Sequence, residues 1–308
     1  MKLRNRKWMF GSIVAVLAVF GSAALRAQDV AVKTFPTYRE AAKAFVTAVK
    51  ANDNAAVKEI LGPNEVDMLS SGDATTDEND RVSFLKHYEE AHAFSRESAD
   101  KVMLTVGANA WPLPFPIVRE NGAWHFDAEA GSRELMYRRI GNNELDSIRV
   151  VRALRDAQKE YAAGGHDGNP PGTYAQRFRS TPGREDGLYW EVKEGEVESP
   201  AGSLVAEAES EGGGQAGKRT PFHGYYYRIV KAQGPHAPGG AKDYVKDGKM
   251  TEGFAIVAYP AEYKASGVMT FIIGPRKSVY QKDLGDGTTE AARGMTAFDP
   301  DSSWKLVQ

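Results

Sequence analysis

Between Ser132 and Ala163 the chain reads SRELMYRRIGNNELDSIRVVRALRDAQKEYAA. Ile148, Val151, Leu154, Gln158 and Tyr161 recur there at three- and four-residue intervals, the stripe that one face of a helix buries. The pattern predicts a long helix, with a break at Gly141. It stops abruptly in AGGHDGNPPG, where glycine and proline no longer suit helical backbone. Such a helix needs broad cover, and the sequence beyond it is glycine-rich and strand-rich.

The strand candidates there are GLYWEV, HGYYYRIV, GFAIVAYPA, GVMTFIIG and SVYQKDLG. In HGYYYRIV, strand alternation places His223, Tyr225, Tyr227 and Ile229 on one face. Gly224, Tyr226, Arg228 and Val230 fall on the other. The expected arrangement is a strand packed on the long helix, with Tyr226 and Arg228 near solvent. Sheet tyrosines also stack on ligands, so His223, Tyr226, Arg228 and Trp190 are candidate ligand-binding residues. SLVAEAESEGGGQAGKRT reads as a polar insertion.

Upstream, Tyr38, Ala41, Ala42, Phe45, Val46 and Val49 have helical spacing. Asn54 opens a second helix, which Gly62-Pro63 stops. SSGDATTDEND reads as a polar loop, and Val82, Leu85, Tyr88 and His92 mark a third helix. KVMLTVG is a strand, and PLPFPIVRE is an extended edge segment because proline cannot donate to a ladder. Asn121-Gly122 in NGAWHFDAE predicts a hairpin turn. The expected fold class is α+β. Residues 35–130 form a three-helix domain with a small antiparallel sheet, and residues 132–308 form a long helix packed on an antiparallel sheet.

The N-terminus begins MKLRNRK, followed by the charge-free run WMFGSIVAVLAVFGSAAL and small residues at Ser22, Ala23, Ala24 and Ala27. A basic segment, an apolar segment and a small-residue exit make a secretory signal peptide over residues 1–27, cleaved after Ala24 or Ala27. Retained uncleaved, the run would be the chain's one tie to a membrane. Either outcome predicts a periplasmic or secreted protein. The absence of cysteine rules out disulfides, thiolate metal sites and cysteine nucleophiles. A net charge of −2 argues against nucleic acid as a partner.

Several motifs fall short of a catalytic signature. GGGQAGKRT spaces Gly212, Gly217 and Lys218 like a phosphate-binding loop, but Arg219 stands where magnesium needs a Ser or Thr hydroxyl. His87 and His92 lie five apart, on different faces of a regular helix, so they cannot share one ion there. Arg177, Arg179, Arg184, Glu185 and Asp186 crowd one short stretch. That density suits either an anion or carboxylate ligand or a loop held by its own ion pairs. Asp283, Asp286, Asp299 and Asp301 lie in a C-terminal loop of the kind that suits calcium. Asp286, Asp299 and Asp301 are the candidate metal ligands, and Ca²⁺ is the only cofactor suggested.

AQKEYA, YAQRFRSTPGREDGLYW, PFHGYYYRIVKAQG, GFAIVAYPAEYKASGVMTFIIG and VYQKDLG occur in order. Together they resemble the DUF2950 family of exported bacterial proteins, from about Phe35 to the C-terminus. The resemblance implies export and carries no catalytic residues with it. The second half is also similar to type IV pilin and pseudopilin globular domains, in which a long helix precedes an antiparallel sheet. Ala157, Gln158 and Tyr161 stand at the helix end, and Asp286, Gly287, Asp299, Asp301 and Trp304 echo a pseudopilin calcium loop. The leader departs from the pilin processing site, and a whole domain separates it from the helix. The expected function is therefore a non-catalytic binding or assembly module with a partner in the cell envelope. The alternative is an extracytoplasmic hydrolase with a site near His223 and the tyrosine strand.

Overall fold

The computed structural model describes residues 32–62, 74–193, 195–205 and 220–307. The leader at 1–27 and most of the polar insertion, with its phosphate-loop-like glycines, lie outside the described residues. The fold is α+β, with helices and antiparallel sheets.

Among the described residues three helices come first: α1 (Tyr38–Lys50), α2 (Asn54–Leu61) and α3 (Ala74–Glu90). Thr37 caps α1 by accepting a hydrogen bond from the Glu40 backbone N–H, and Asp53 caps α2 through Ala56. The stretch expected to be a loop through Asp80 is helical from Ala74. The inward side chains of α3 include Phe84 and Tyr88, whereas Val82 is exposed. His92 has left the helix for the first strand, and its ring stacks on Tyr88 with centroids 4.0 Å apart.

The first sheet contains β1 (His92–Ser98), β2 (Lys101–Val106), β3 (Trp111–Pro112), β4 (Ile117–Glu120) and β5 (Ala123–Phe126). Asn121 and Gly122, both at positive φ, close the β4–β5 hairpin as a two-residue turn. The proline-marked segment is not an edge throughout: β4 pairs with β2 on one side and β5 on the other. Pro114 and Pro116 fall before the paired residues of β4, whereas Pro112 sits in β3, which pairs only with β2 and so keeps the edge position that suits proline. Phe45, Leu104, Phe115, Ile117 and Phe126 belong to the first core, which spans residues 35–126.

Helix α4 (Ala128–Gly164) follows, capped by Asp127, and runs without interruption through Gly141. The expected break does not occur. Leu135, near its start, packs on the first core. Val151, Leu154, Ala157 and Tyr161, further along, belong to a second core spanning residues 150–298.

The second half contains β6 (Tyr225–Val230), β7 (Ala232–Gln233), β8 (Lys242–Asp243), β9 (Val245–Lys246), β10 (Lys249–Met250), β11 (Ala255–Pro260), β12 (Met269–Ile273), β13 (Val279–Asp283), the short helix α5 (Thr288–Gly294) and β14 (Lys305–Leu306). The main sheet runs β14-β13-β12-β11-β6, all antiparallel. Helix α4 packs on β11 and β12, and α5 packs on β11. Every residue of β11 is therefore buried, and its sequence AIVAYP is an unbroken apolar run rather than an alternation. GLYWEV is irregular chain, with one bridge from Tyr189 to Arg179.

Candidate functional site

Helix α4 ends where the chain must reverse. Gly165 adopts φ +70°, and a Cβ there would come within 2.9 Å of the Asn169 carbonyl, so only glycine fits. The chain then returns along the helix. The Gly172 N–H donates to Ala162 O at 2.7 Å. The Gln158 side chain donates to Ala175 O at 2.8 Å and accepts from Ala175 N at 3.0 Å. Gln158 is fully buried, and both ends of its amide are satisfied. On its other side this segment meets the β9–β10 hairpin, where Tyr174 N donates to Met250 O at 2.8 Å and Gln176 Nε2 to Gly248 O at 2.7 Å. Asp247 and Gly248, at φ +50° and +76°, form the hairpin turn.

A cleft of about 330 Å³ opens here, within the size range of small-molecule sites. Its wall includes Tyr161, Thr173, Asn169, Arg177, Arg184 and Lys231, with Asp167, Tyr174, Gln176, Asp186, Gly248 and Lys249 completing the rim. Thr173 is only 4% exposed, and its hydroxyl is buried without a hydrogen-bond partner among the described residues. A buried hydroxyl left in that state costs roughly 1–3 kcal/mol.

The arginine-rich loop closes one side. Arg184 clasps Asp167 with two guanidinium nitrogens, and this holds the Asp167 carboxyl below its usual range. Asp186 accepts from the Thr181 backbone N–H at 2.7 Å and from its hydroxyl at 2.9 Å, with Arg177 at 3.4 Å. The Thr181 backbone donor leads in lowering the Asp186 carboxyl. Both acids therefore stay ionised at neutral pH. Tyr161 donates to Glu185 O at 2.7 Å. Burial, reinforced by Asp167, Asp186 and Glu185, pushes its phenol up to about 12, so it remains a protonated donor.

The residues singled out in the sequence scatter. Trp190 adjoins the cleft at one remove: its ring lies 6.4 Å from Tyr161 and 5.0 Å from His166, which in turn pairs with Glu185. His223 lines neither this cleft nor the smaller cavity around Gln233 and Phe298. Its side chain is 10% exposed, with the Phe222 ring tilted against it at 4.1 Å and Asp146 of α4 at 3.6 Å. Tyr227, on the same strand face, reaches α4 at Ser147, as expected for a strand packed on the long helix. Tyr226 and Arg228, expected near solvent, are only partly exposed. Tyr226 is half-buried 5.7 Å from Tyr259, and Arg228 donates to the carbonyls of Ala292 and Met295. There it answers the negative end of α5.

The three candidate metal ligands make separate contacts: Asp286 with Lys264, Asp299 with His236 and Asp301 with Ser303. Among the described residues there is no group of three or more His, Cys, Asp or Glu side chains that could hold a metal ion. The charge-dense stretch at 177–186 did point to the cleft. Thr173, Lys231 and Lys249 had no signal of their own.

The structure thus defines an α+β protein whose long helix ends at a polar, cation-rich cleft. Residues 32–307 match the family described as "Protein of unknown function (DUF2950)", and the chain belongs to that family. No curated protein and no solved structure matches it.

Proposed function

We propose that this chain is an exported protein of the cell envelope that binds a small hydrophilic ligand in the cleft at the end of α4 and does not transform it. The observation that carries the reading is the cleft itself. It is walled by charged and polar groups, fixed on three sides by hydrogen bonds, and lined by a buried threonine whose hydroxyl has no partner among the described residues. A site held this firmly needs little reorganisation to bind. The basic, apolar, small-residue order of residues 1–27 supports export. The long helix laid on an antiparallel meander is the arrangement behind the pilin comparison, and it supports a supporting role in an envelope assembly.

Native mass spectrometry of the full chain purified from its own cell envelope tests this. We expect a small molecule to be carried by the wild type and lost in Asn169→Trp, which fills the cleft, with the ligand recovered unchanged. A ligand consumed on incubation would instead favour hydrolysis. The feature that speaks for that second reading is the His223–Asp146 pair, a base beside an orienting carboxylate. The near-closed packing of His223 speaks against it.

A further inference from the structure

The cleft's wall carries four cationic side chains, Arg177, Arg184, Lys231 and Lys249, against two acids, Asp167 and Asp186. Both acids are engaged by the arginine-rich loop. Lys231 donates to a neutral amide oxygen, Gln176 Oε1, at 2.9 Å. Lys249 forms no ion pair among the described residues. Two ammonium groups thus line the cleft without a carboxylate partner among the described residues, in a hollow where field lines concentrate.

Their placement is organised. Gln176 accepts from Lys231, which follows β6, and donates to Gly248, in the turn that precedes Lys249. One amide therefore ties together the two elements that carry the lysines, and both of its functional ends are used. The remaining polar lining is of another kind: the Asn169 amide and the Tyr174 phenol offer donors and acceptors without charge. An excess of cations beside neutral donors and acceptors, in a cleft of this size, matches one kind of molecule.

We propose that the cleft binds a small polyhydroxylated acid, a sugar acid or a sugar phosphate. Lys231 and Lys249 pair with its oxyanion, and Asn169 bonds its hydroxyls. Gln176 is a positioning residue that holds both lysines in place. This rests on the cleft being the binding site.

The test is titration calorimetry of the full chain with glucuronate, glucose 6-phosphate, glucose and inorganic phosphate, at low and high salt. The acidic sugars should bind at least about tenfold more tightly than glucose, and more weakly as salt rises. Lys231→Met, Lys249→Met and Gln176→Ala should each weaken them about fivefold or more while leaving glucose unaffected. Asn169→Trp, which fills the cleft, should weaken acidic and neutral sugars alike. Whichever of glucuronate and glucose 6-phosphate binds more tightly identifies the oxyanion.

Glucose binding as tightly as the acids, with the lysine variants silent and Asn169→Trp still effective, would overturn the acid assignment and keep the cleft as the site. Inorganic phosphate matching glucose 6-phosphate would overturn the polyhydroxylated half. Acid binding indifferent to all four substitutions would place the site elsewhere and defeat both readings. No binding by either acid would overturn this inference alone, because the envelope-purified ligand reports on the cleft independently.

Discussion

Thr173 holds a hydroxyl that the fold has withdrawn from solvent without giving it a partner among the described residues. Exchanging such a group for a methyl of nearly the same shape removes a desolvation cost. Thr173→Val should therefore raise stability by about 1 kcal/mol in urea unfolding. A loss of stability would show that the hydroxyl is bonded in solution. A second residue reports on pH. His236 donates its backbone N–H to Asp299 Oδ1 at 2.8 Å and sets its ring against Oδ2 at 3.0 Å, with Asp301 adding to the field. The Asp299 hydrogen bond leads in raising the imidazole above its ordinary value of about 6.5. The stabilisation is complete below that ordinary value, where the ring is charged in both states, and is lost as pH rises through the raised folded value. Wild-type melting temperature should thus fall relative to His236→Gln as pH increases through that window, and parallel curves for the two proteins would refute the linkage. Arg177, Arg184 and Asp186 were legible as a possible ligand site because charge density is a local property of sequence. Thr173 was not, since a lone threonine in PPGTYAQ looks like any turn residue.

At the scale of elements, legibility followed how local the determining interactions are. The Asn121-Gly122 hairpin and the inner stripe of α4 depend on neighbours in sequence, and both stand as read. The PLPFPIVRE segment was read correctly at Pro112, in the one-sided strand β3, and misled beyond it, because proline's lost donor matters only at paired positions and β4 begins just past Pro116. Gly141 misled in a similar way. Glycine costs helix stability without dictating a break, and α4 is held on both sides of it by its two cores. A Cβ added at Gly141 meets nothing within 4 Å. Gly141→Ala should therefore stabilise the protein by about 0.5–1 kcal/mol. Thermal unfolding followed by circular dichroism checks this, and a lower melting temperature would mean that the glycine is needed for a bend. Lys231 and Lys249 became neighbours only through the β9–β10 hairpin and the Gln176 amide, and no spacing in the sequence encodes that meeting.

For the molecule as a whole, two apolar cores share one helix. Gly131 of α4 presses against Phe115 so closely that a Cβ would sit 2.0 Å from its ring, and Arg138 donates to Pro112 O at 3.0 Å. Beyond Gly141, Asn143 donates to Ser266 O at 2.8 Å, and Glu144 accepts from the backbone N–H groups of Val268 and Met269 at 2.9 and 3.0 Å. The ties to each half thus succeed one another along α4, and the cleft lies wholly at the far end. Damage to the first core should be felt there only through the helix. Phe126→Ala, which empties a fully buried position in the first core, should cost that half about 3–5 kcal/mol. Its unfolding should then separate from that of the second half in guanidinium, with Trp124 reporting the early transition. Ligand affinity at the cleft should stay within about twofold of wild type while the first half is folded, because side chains this far apart act independently. A single shifted transition would instead show that α4 transmits the loss, and that the two cores stand or fall as one cooperative unit.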